Sequence, residues 1–510
     1  VVGIGASAGG LEACQTVFQR LPIDTGAAFV VVQHVDPLHA SALPELLGRC
    51  TRMPVVAAAD GMRLERDRVY VIPPNVTLTV GEGVLRTEAP REPRGLRLPV
   101  DAFFHSLAQD FGWLAVAVVL SGTGADGSVG VRSVKEAGGI VFAQDPSTAR
   151  YDGMPMSAVT TGIVDQVLPL ERIPGALVHY LQHLRGVKPP NGEAADSEHL
   201  GPICAVVEEE TGHDFSRYKP STLLRRVRRR MRVLAIEMEA DYLRHLRGDP
   251  AEAQALLRDF LIGVTQFFRD PAAFEGLARE VIEPLVAANA RPTGQIRAWV
   301  PACSTGEEAF TVAMLLREAC QRHTCPPQVT IFATDIDRHA LDVARLGRYP
   351  ESVAAQLTPE RIERHFIQED GVLQVSKAVR EMCIFSLHNI LTDPPFARLN
   401  LITCRNLFIF LEPELQRKLV PLFHYSLRAG GYLFLGPSET LVADEDLFRT
   451  VDKKLRIFQA TEAPIRATPD MSLGRHLRAF RSEELAFRQT PRRERDVRTT
   501  LERALLETHA

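Results

Sequence analysis

The chain has 510 residues, 45% of them hydrophobic and 24% charged, with a formal net charge of -4. That length predicts two or three domains, and the composition excludes a disordered chain. The charge balance gives no general attraction to nucleic acid or anionic membranes, no apolar run is long enough to span a bilayer, and eight cysteines without close pairing make no disulfide framework.

The sequence opens at Val1 on a strand-like run without an initiator Met, so a trimmed piece without a signal peptide and a cytoplasmic location are expected. Residues 1–4, 28–33, 68–72, 115–120 and 139–143 are short apolar or β-branched runs. Helical stretches at 11–20 and 127–137 lie between some of them. This alternation predicts a mostly parallel sheet with helices on both faces. Residues 78–97 instead predict a hairpin and an ordered connection.

Residues 186–202 lack periodicity and are rich in Pro, Gly and acids, which predicts a linker after a first domain at 1–185. Residues 203–289 read as helical, with Leu224, Val227, Met231 and Leu234 on one apolar face. A second α/β unit is expected at 290–461, with strands at 296–300, 329–334, 383–387, 399–403 and 432–436. A helical tail or linker is expected at 462–510. Cys320 and Cys325 flank His323, but no second ligand pair with zinc-like spacing follows, so free thiols and no metal are expected.

Two regions carry chemistry. In the first, Gly3-Ile4-Gly5-Ala6-Ser7-Ala8 satisfies the loose G-x-G-x-x-A pattern of a dinucleotide turn. The next strand, however, ends in Gln33-His34 rather than an acid. A third ends in Ser121-Gly122-Thr123-Gly124-Ala125-Asp126-Gly127. All three polar candidates stand at the carboxyl ends of predicted parallel strands. They fit a triad in which His34 takes the proton of Ser7 and Asp126 fixes the imidazole, with helix-start N–H groups for an oxyanion. A capping serine and a buried histidine are the plainer alternative.

GASAGG, VVVQHV and LSGTGADG, in that order, resemble the catalytic domain of chemotaxis receptor methylesterases over residues 1–180. The resemblance continues through Gln144-Asp145 and Gly153-Met154-Pro155. It implies a Rossmann-like parallel-sheet esterase domain with Ser7, His34 and Asp126 as its triad. It also implies hydrolysis of glutamate methyl esters on receptor helices, and glutamine deamidation. Thr123 stands where the family often has Met.

The second region starts with a basic helix: residues 219–232 hold seven basic side chains and no acid. Arg225, Arg228, Arg229 and Arg232 are placed opposite the apolar stripe, as a face for phosphates or an acidic protein helix. The alternative is a solvated face paired to Glu237 and Glu239. Next, RAWVPACSTGEEAF predicts a strand and a tight turn into a helix. Asp335 then ends a strand as a ribose acceptor, an arrangement that NAD sites share. His388-Asn389 and Cys404-Arg405-Asn406 follow two later strands.

YKPSTLLRRVRRRM, VTQFFRDP, ACSTGEE, ATDID, LHNIL, CRNLFIF and GGYLFLGPSE resemble a chemotaxis receptor glutamate methyltransferase over residues 203–460. The resemblance implies a small all-helical domain and a Rossmann-like methyltransferase domain. Its donor is S-adenosylmethionine, converted to S-adenosylhomocysteine and held by Thr265, Arg269, Glu307, Asp335, Asn389 and Asn406. The basic helix then meets acidic receptor helices. Gly263 replaces an Asn and Phe410 a Tyr of the family pattern, and residues 365–372 form a short hairpin, so no pentapeptide tether is expected.

The expected whole is a multidomain α/β protein that adds and removes methyl groups on chemoreceptors or related signalling proteins. Neither nucleic acid binding nor membrane insertion is expected. Two alternatives stand beside it: a signalling scaffold with one or both activities weak or lost, and an NAD enzyme joined to a hydrolase.

Overall fold

The computed structural model describes residues 1–34, 42–90, 97–186, 197–261, 263–369, 371–441 and 446–462. Most of the expected linker (187–196) and the expected tail beyond 462 lie outside the described residues.

Runs such as Phe29-Val30-Val31-Val32 are fully buried, as strands covered on both faces must be. Such strands form the centre of a seven-stranded first sheet, in the order Val55–Ala57, Arg68–Val71, Ala28–Gln33, Val2–Ala6, Val116–Val119, Ile140–Gln144, Gln166–Leu168. Every pairing is parallel. Val2 stands level with Phe29 on one side and Val116 on the other, so the three central strands end together. Gly3 and Gly5 sit inside the first strand because helix Pro99–Phe111 lies on it. A Cβ on Gly5 falls 2.3 Å from Val100 Cγ1, and one on Gly3 falls 3.0 Å from the Phe103 and Phe104 rings. These two glycines serve helix–sheet packing rather than a nucleotide turn. The expected hairpin is present as Thr77–Gly81 against Val84–Glu88.

Four helices, Leu200–Thr211, Pro220–Val233, Glu239–Gly248 and Pro250–Leu261, form a separate small core. Leu224, Val227 and Met231 line it with Ile203, Tyr242 and Leu256. Helices Pro271–Leu277 and Glu283–Asn289 depart from the expected boundary at 289. Phe274, Leu277, Leu285 and Val286 pack into the core of the second sheet instead. That sheet runs Cys383–Leu387, Gln328–Asp335, Gln295–Pro301, Leu399–Cys404, Leu427–Leu435, Ile457–Ala460, Phe448–Asp452. The first five strands are parallel, and Ile457–Ala460 runs antiparallel to both of its neighbours. The hairpin expected at 365–372 is Phe366–Glu369 with Val372–Val375, extended by Arg348–Pro350 to three strands.

Helix Pro220–Val233 joins the first sheet domain to the helical unit. Its outer face is not a solvated arginine surface. Arg229 is 1% exposed and spans two carboxylates, Asp165 of the first domain and Asp259 of helix Pro250–Leu261. Lys135 bridges the same two acids at 2.7 Å each. Two cations and two anions thus neutralise one another in a buried square. Burial alone would raise both acids, but Arg229 and Lys135 outweigh it and hold both carboxyls below the usual range. Arg226 caps helix Gly130–Glu136 by donating to the Lys135 and Glu136 carbonyls, and Arg232 lies over the Trp113 ring.

Removing one member of such a square leaves unpaired buried charge, which costs about 3–5 kcal/mol. Arg229→Met is therefore expected to lower the urea midpoint strongly, followed by the fluorescence of Trp113 at this contact. Exposed Arg225→Gln should change stability by less than about 0.5 kcal/mol. The depressed acids also set a pH window. Their contribution is complete above the unfolded carboxylate value of about 3.9. It is lost as pH falls below that value through the lower folded ones.

Candidate active sites

The first cluster sits where the three central strands end. Ser7 follows Val2–Ala6 and is nearly buried. Its N–H donates to the Ser121 carbonyl at 3.1 Å, and its carbonyl accepts from Gly10 N and Gln33 Nε2, so both neighbouring strand ends fix it. Helix Gly10–Arg20 begins three residues later. His34 Nε2 meets Asp126 Oδ2 at 2.8 Å. Asp126 is buried and also accepts the N–H groups of Val100 and Asp101, at the start of helix Pro99–Phe111. These donors and the imidazole fix its position. Asp126 takes Nε2, which leaves Nδ1 for the serine proton. Among the described residues no hydrogen bond joins Ser7 Oγ to the ring, and such bonds often tighten only with substrate bound. Gly122 keeps the serine accessible: a Cβ there falls 2.9 Å from Ser7 Cβ and 2.2 Å from Met154 Sδ. Thr123 is exposed in the same loop.

The second cluster lines an open cleft of about 1190 Å³, its mouth included. Thr265, Arg269, Asp335, Asn389 and Asn406 all border it. The turn beneath it is strained, with Ala302 and Ser304 at positive φ before Gly306. That conformation aims Ser304 N at Asp335 Oδ2, at 2.7 Å. Ser304 Oγ bonds the Gly263 carbonyl, and a Cβ on Gly263 falls 3.0 Å from that hydroxyl. Serine thus occupies the space that a side chain at 263 would need. Burial pushes the Asp335 carboxyl up to about 6, against the backbone N–H groups that favour its charge. Asn389 also closes a turn, its Oδ1 accepting from Leu391 N. Phe410 lines the cleft without a hydroxyl.

Two expectations need correction. Glu307 does not border the cleft. It is buried, bonded to Thr305 Oγ1 and to Arg132 of the first domain at 3.1 Å. The next residue, Glu308, faces the cleft, and its Oε1 is buried without a partner. Burial raises its carboxyl to about 7 despite Arg405 at 4.0 Å. Second, of the four arginines proposed as a receptor face, Arg229 and Arg232 are buried against the first domain. Arg228 is half-buried beside Glu239, and only Arg225 is exposed.

Other contributors carried no signal of their own. Tyr218 reaches the cleft from the helical unit, where Lys219 N and Nζ bind the Phe410 and Ile409 carbonyls. Glu439 is buried and accepts from Asn406 N, Phe408 N and Gly436 N, which fixes the loop bearing Asn406. Glu136 of the first domain also lines the cleft.

Together the clusters define a two-centre α/β protein, with a serine–histidine–aspartate arrangement and a nucleoside-type cleft. Residues 2–177 match the CheB methylesterase family. Residues 198–261 match the all-alpha domain of CheR methyltransferase and 263–457 its SAM binding domain. A 104.1 kDa protein in the hypE 3′ region of Rhodobacter capsulatus is 43% identical over 441 residues, 82% of this chain and 46% of that protein. The protein-glutamate methylesterase/protein-glutamine glutaminase of Pyrococcus horikoshii is 35% identical over 189 residues, 36% of this chain and 51% of that protein. The chain thus spans about half the length of these two relatives. The putative methyltransferase Cher3 of Pseudomonas putida is 30% identical over 257 residues, 48% of this chain and 91% of that protein. The Thermotoga maritima CheB methylesterase catalytic domain aligns with 35% of this chain and 96% of its own, at 32% identity and TM-score 0.33. The chain belongs to the CheR methyltransferase family and carries a CheB-type methylesterase domain fused ahead of it.

The cleft residues fit S-adenosylmethionine: a strand-end acid for ribose hydroxyls, an unpartnered buried carboxylate oxygen and two asparagines. An ionised carboxylate at Asp335 would accept ribose hydroxyls better than a neutral one. Adenosylhomocysteine affinity is therefore expected to fall as pH drops through about 6. In Asp335→Asn that step should be missing and affinity lower throughout, as titration calorimetry between pH 5 and 8 would measure.

Proposed function

We propose that this chain both methylates and demethylates glutamate side chains of chemoreceptors or related signalling proteins, from two centres in one polypeptide. The observation that carries the reading is the pairing of His34 with Asp126 beside Ser7, with a separate cleft bordered by Asp335, Asn389 and Asn406. In ester hydrolysis Ser7 Oγ attacks the ester carbonyl while His34 takes its proton. The helix start after Ser7 favours the negative charge that develops. His34 then protonates departing methanol, and water releases the glutamate from Ser7 by the reverse proton path. A glutamine side chain could enter the same sequence and lose ammonia.

In the other direction S-adenosylmethionine supplies an electrophilic methyl group. A receptor carboxylate is already nucleophilic at neutral pH, so no strong base is needed. Thr265, Arg269, Asp335, Asn389, Asn406 and, in place of Glu307, Glu308 hold and orient the donor. What the protein has to supply is alignment of the receptor carboxylate with the sulfonium methyl. The first proposal for receptor capture shrinks to Arg225 and Arg228, because their neighbours are covered. No helix among the described residues is long and apolar enough to cross a membrane, and a cytoplasmic location is part of the same proposal.

One observation favours a scaffold role as the second reading: the first domain covers most of the basic helix. Donor binding without methyl turnover would be its signature. Ser7→Ala tests the leading one. Methanol release from pre-methylated receptor should fall about 10³-fold or more, while methyl incorporation from labelled S-adenosylmethionine persists. Unchanged methanol release would sink the assignment of Ser7.

A further inference from the structure

We propose that the methyl-donor site is completed from the esterase domain: Glu136 is the acceptor for the α-ammonium group of the donor, opposite Arg269, which takes its α-carboxylate. The inference deepens the donor-cleft reading and rests on it.

The placement of Glu136 is not left to chance. It is the last residue of helix Gly130–Glu136. Arg226 grips the end of that helix through the Lys135 and Glu136 carbonyls, at 3.1 Å each. One residue earlier, Lys135 is locked between Asp165 and Asp259. One turn earlier, Arg132 donates to the Thr265 carbonyl at 3.2 Å and to Glu307 at 3.1 Å. The helix is thereby tied to the very segment that borders the cleft. Its N-terminal end is tied to the esterase side, where Asp101 Oδ1 accepts from Val129 N and Gly130 N.

From this fixed base the Glu136 side chain reaches Arg269, with Oε1 3.4 Å from Nη2. Both residues line the cleft. The pair is long and partly solvated, with side chains 47% and 28% exposed, so it contributes little by itself and exchanges readily. Arg269 is held independently by donation from Nη1 to the Val264 carbonyl at 3.0 Å. A free amino acid headgroup carries one anion and one cation a few ångströms apart. A guanidinium and a carboxylate side by side at the cleft wall match that zwitterion charge for charge. Glu136 is the carboxylate that stands directly against Arg269 at the cleft wall, so it is the acceptor placed to take the ammonium beside a carboxylate held by that guanidinium.

The test uses the whole chain and calorimetric binding of two probes. S-adenosylhomocysteine has the amino acid headgroup, whereas 5′-methylthioadenosine keeps the nucleoside and lacks it. Glu136→Gln should weaken adenosylhomocysteine about tenfold and leave methylthioadenosine unchanged, with methanol release by the esterase as a check on folding. Equal adenosylhomocysteine affinity in the two proteins would overturn the proposal. So would tighter binding, which would make Glu136 a competitor for Arg269. Equal weakening of both probes would mean a structural role only, and overturn it too. If the wild-type chain binds neither probe, the donor-cleft reading itself fails and the inference with it.

Discussion

A buried square of four charges, Lys135, Asp165, Arg229 and Asp259, sets the geometry on which both centres depend. Two of the charges come from the esterase domain and two from the helical unit. None of them is stable alone in a dry interior, because an unpaired ion there loses hydration without compensation. All four together form a neutral and directional joint. A purely apolar contact of similar area would tolerate sliding, whereas fixed donors and acceptors do not. Asp165 adds to this by accepting from Val141 N, so the square is tied into the esterase sheet as well.

The joint holds helix Gly130–Glu136 in place, and this short element touches both chemistries. Upstream of it, Asp126 orients His34 from the loop that leads into the helix. Buried Asp101 receives the helix start, and its carboxyl is raised by burial and then by the charge of Asp126. Downstream, Arg132 bonds the Thr265 carbonyl behind the donor cleft and Glu136 lines the cleft itself. A second small contact, the hydroxyls of Ser128 and Ser352 at 2.7 Å, pins the same loop to the methyltransferase domain. The two sites are thus neighbours through one helix rather than independent modules on a flexible string.

Much of this was legible in the sequence where backbone pattern decides. Continuous apolar runs separated by helices marked the central strands of both sheets. The crevice rule then placed Ser7, His34, Asp126, Asp335, Asn389 and Asn406 at strand ends. Short edge strands such as Val55–Ala57 and Gln166–Leu168 were not legible, because three half-exposed residues carry no periodic signal. Glu307 and Glu308 show a finer limit. Adjacent helical residues point about 100° apart, and only packing against Arg132 decides which one turns away from the cleft. The arginine helix failed for a related reason. Its basic face was evident, but the acids it answers to lie 64 and 30 residues away in sequence. Composition in one window cannot reveal a partner that only tertiary folding supplies.

The covered arginine helix has an evolutionary corollary. A freestanding methyltransferase must keep the outer face of such a helix compatible with water, whereas here Arg229 divides its guanidinium between Asp259 of its own unit and Asp165 of the esterase domain. In this chain the esterase domain makes that face an interior. Exchanging one half for a homologous module would strand a buried ion unless the matching charges came with it. Single substitutions at any of the four positions pass through a state with a stranded ion. The sequences of the two halves are therefore constrained to change together, and recombination points within the fusion become barriers rather than seams.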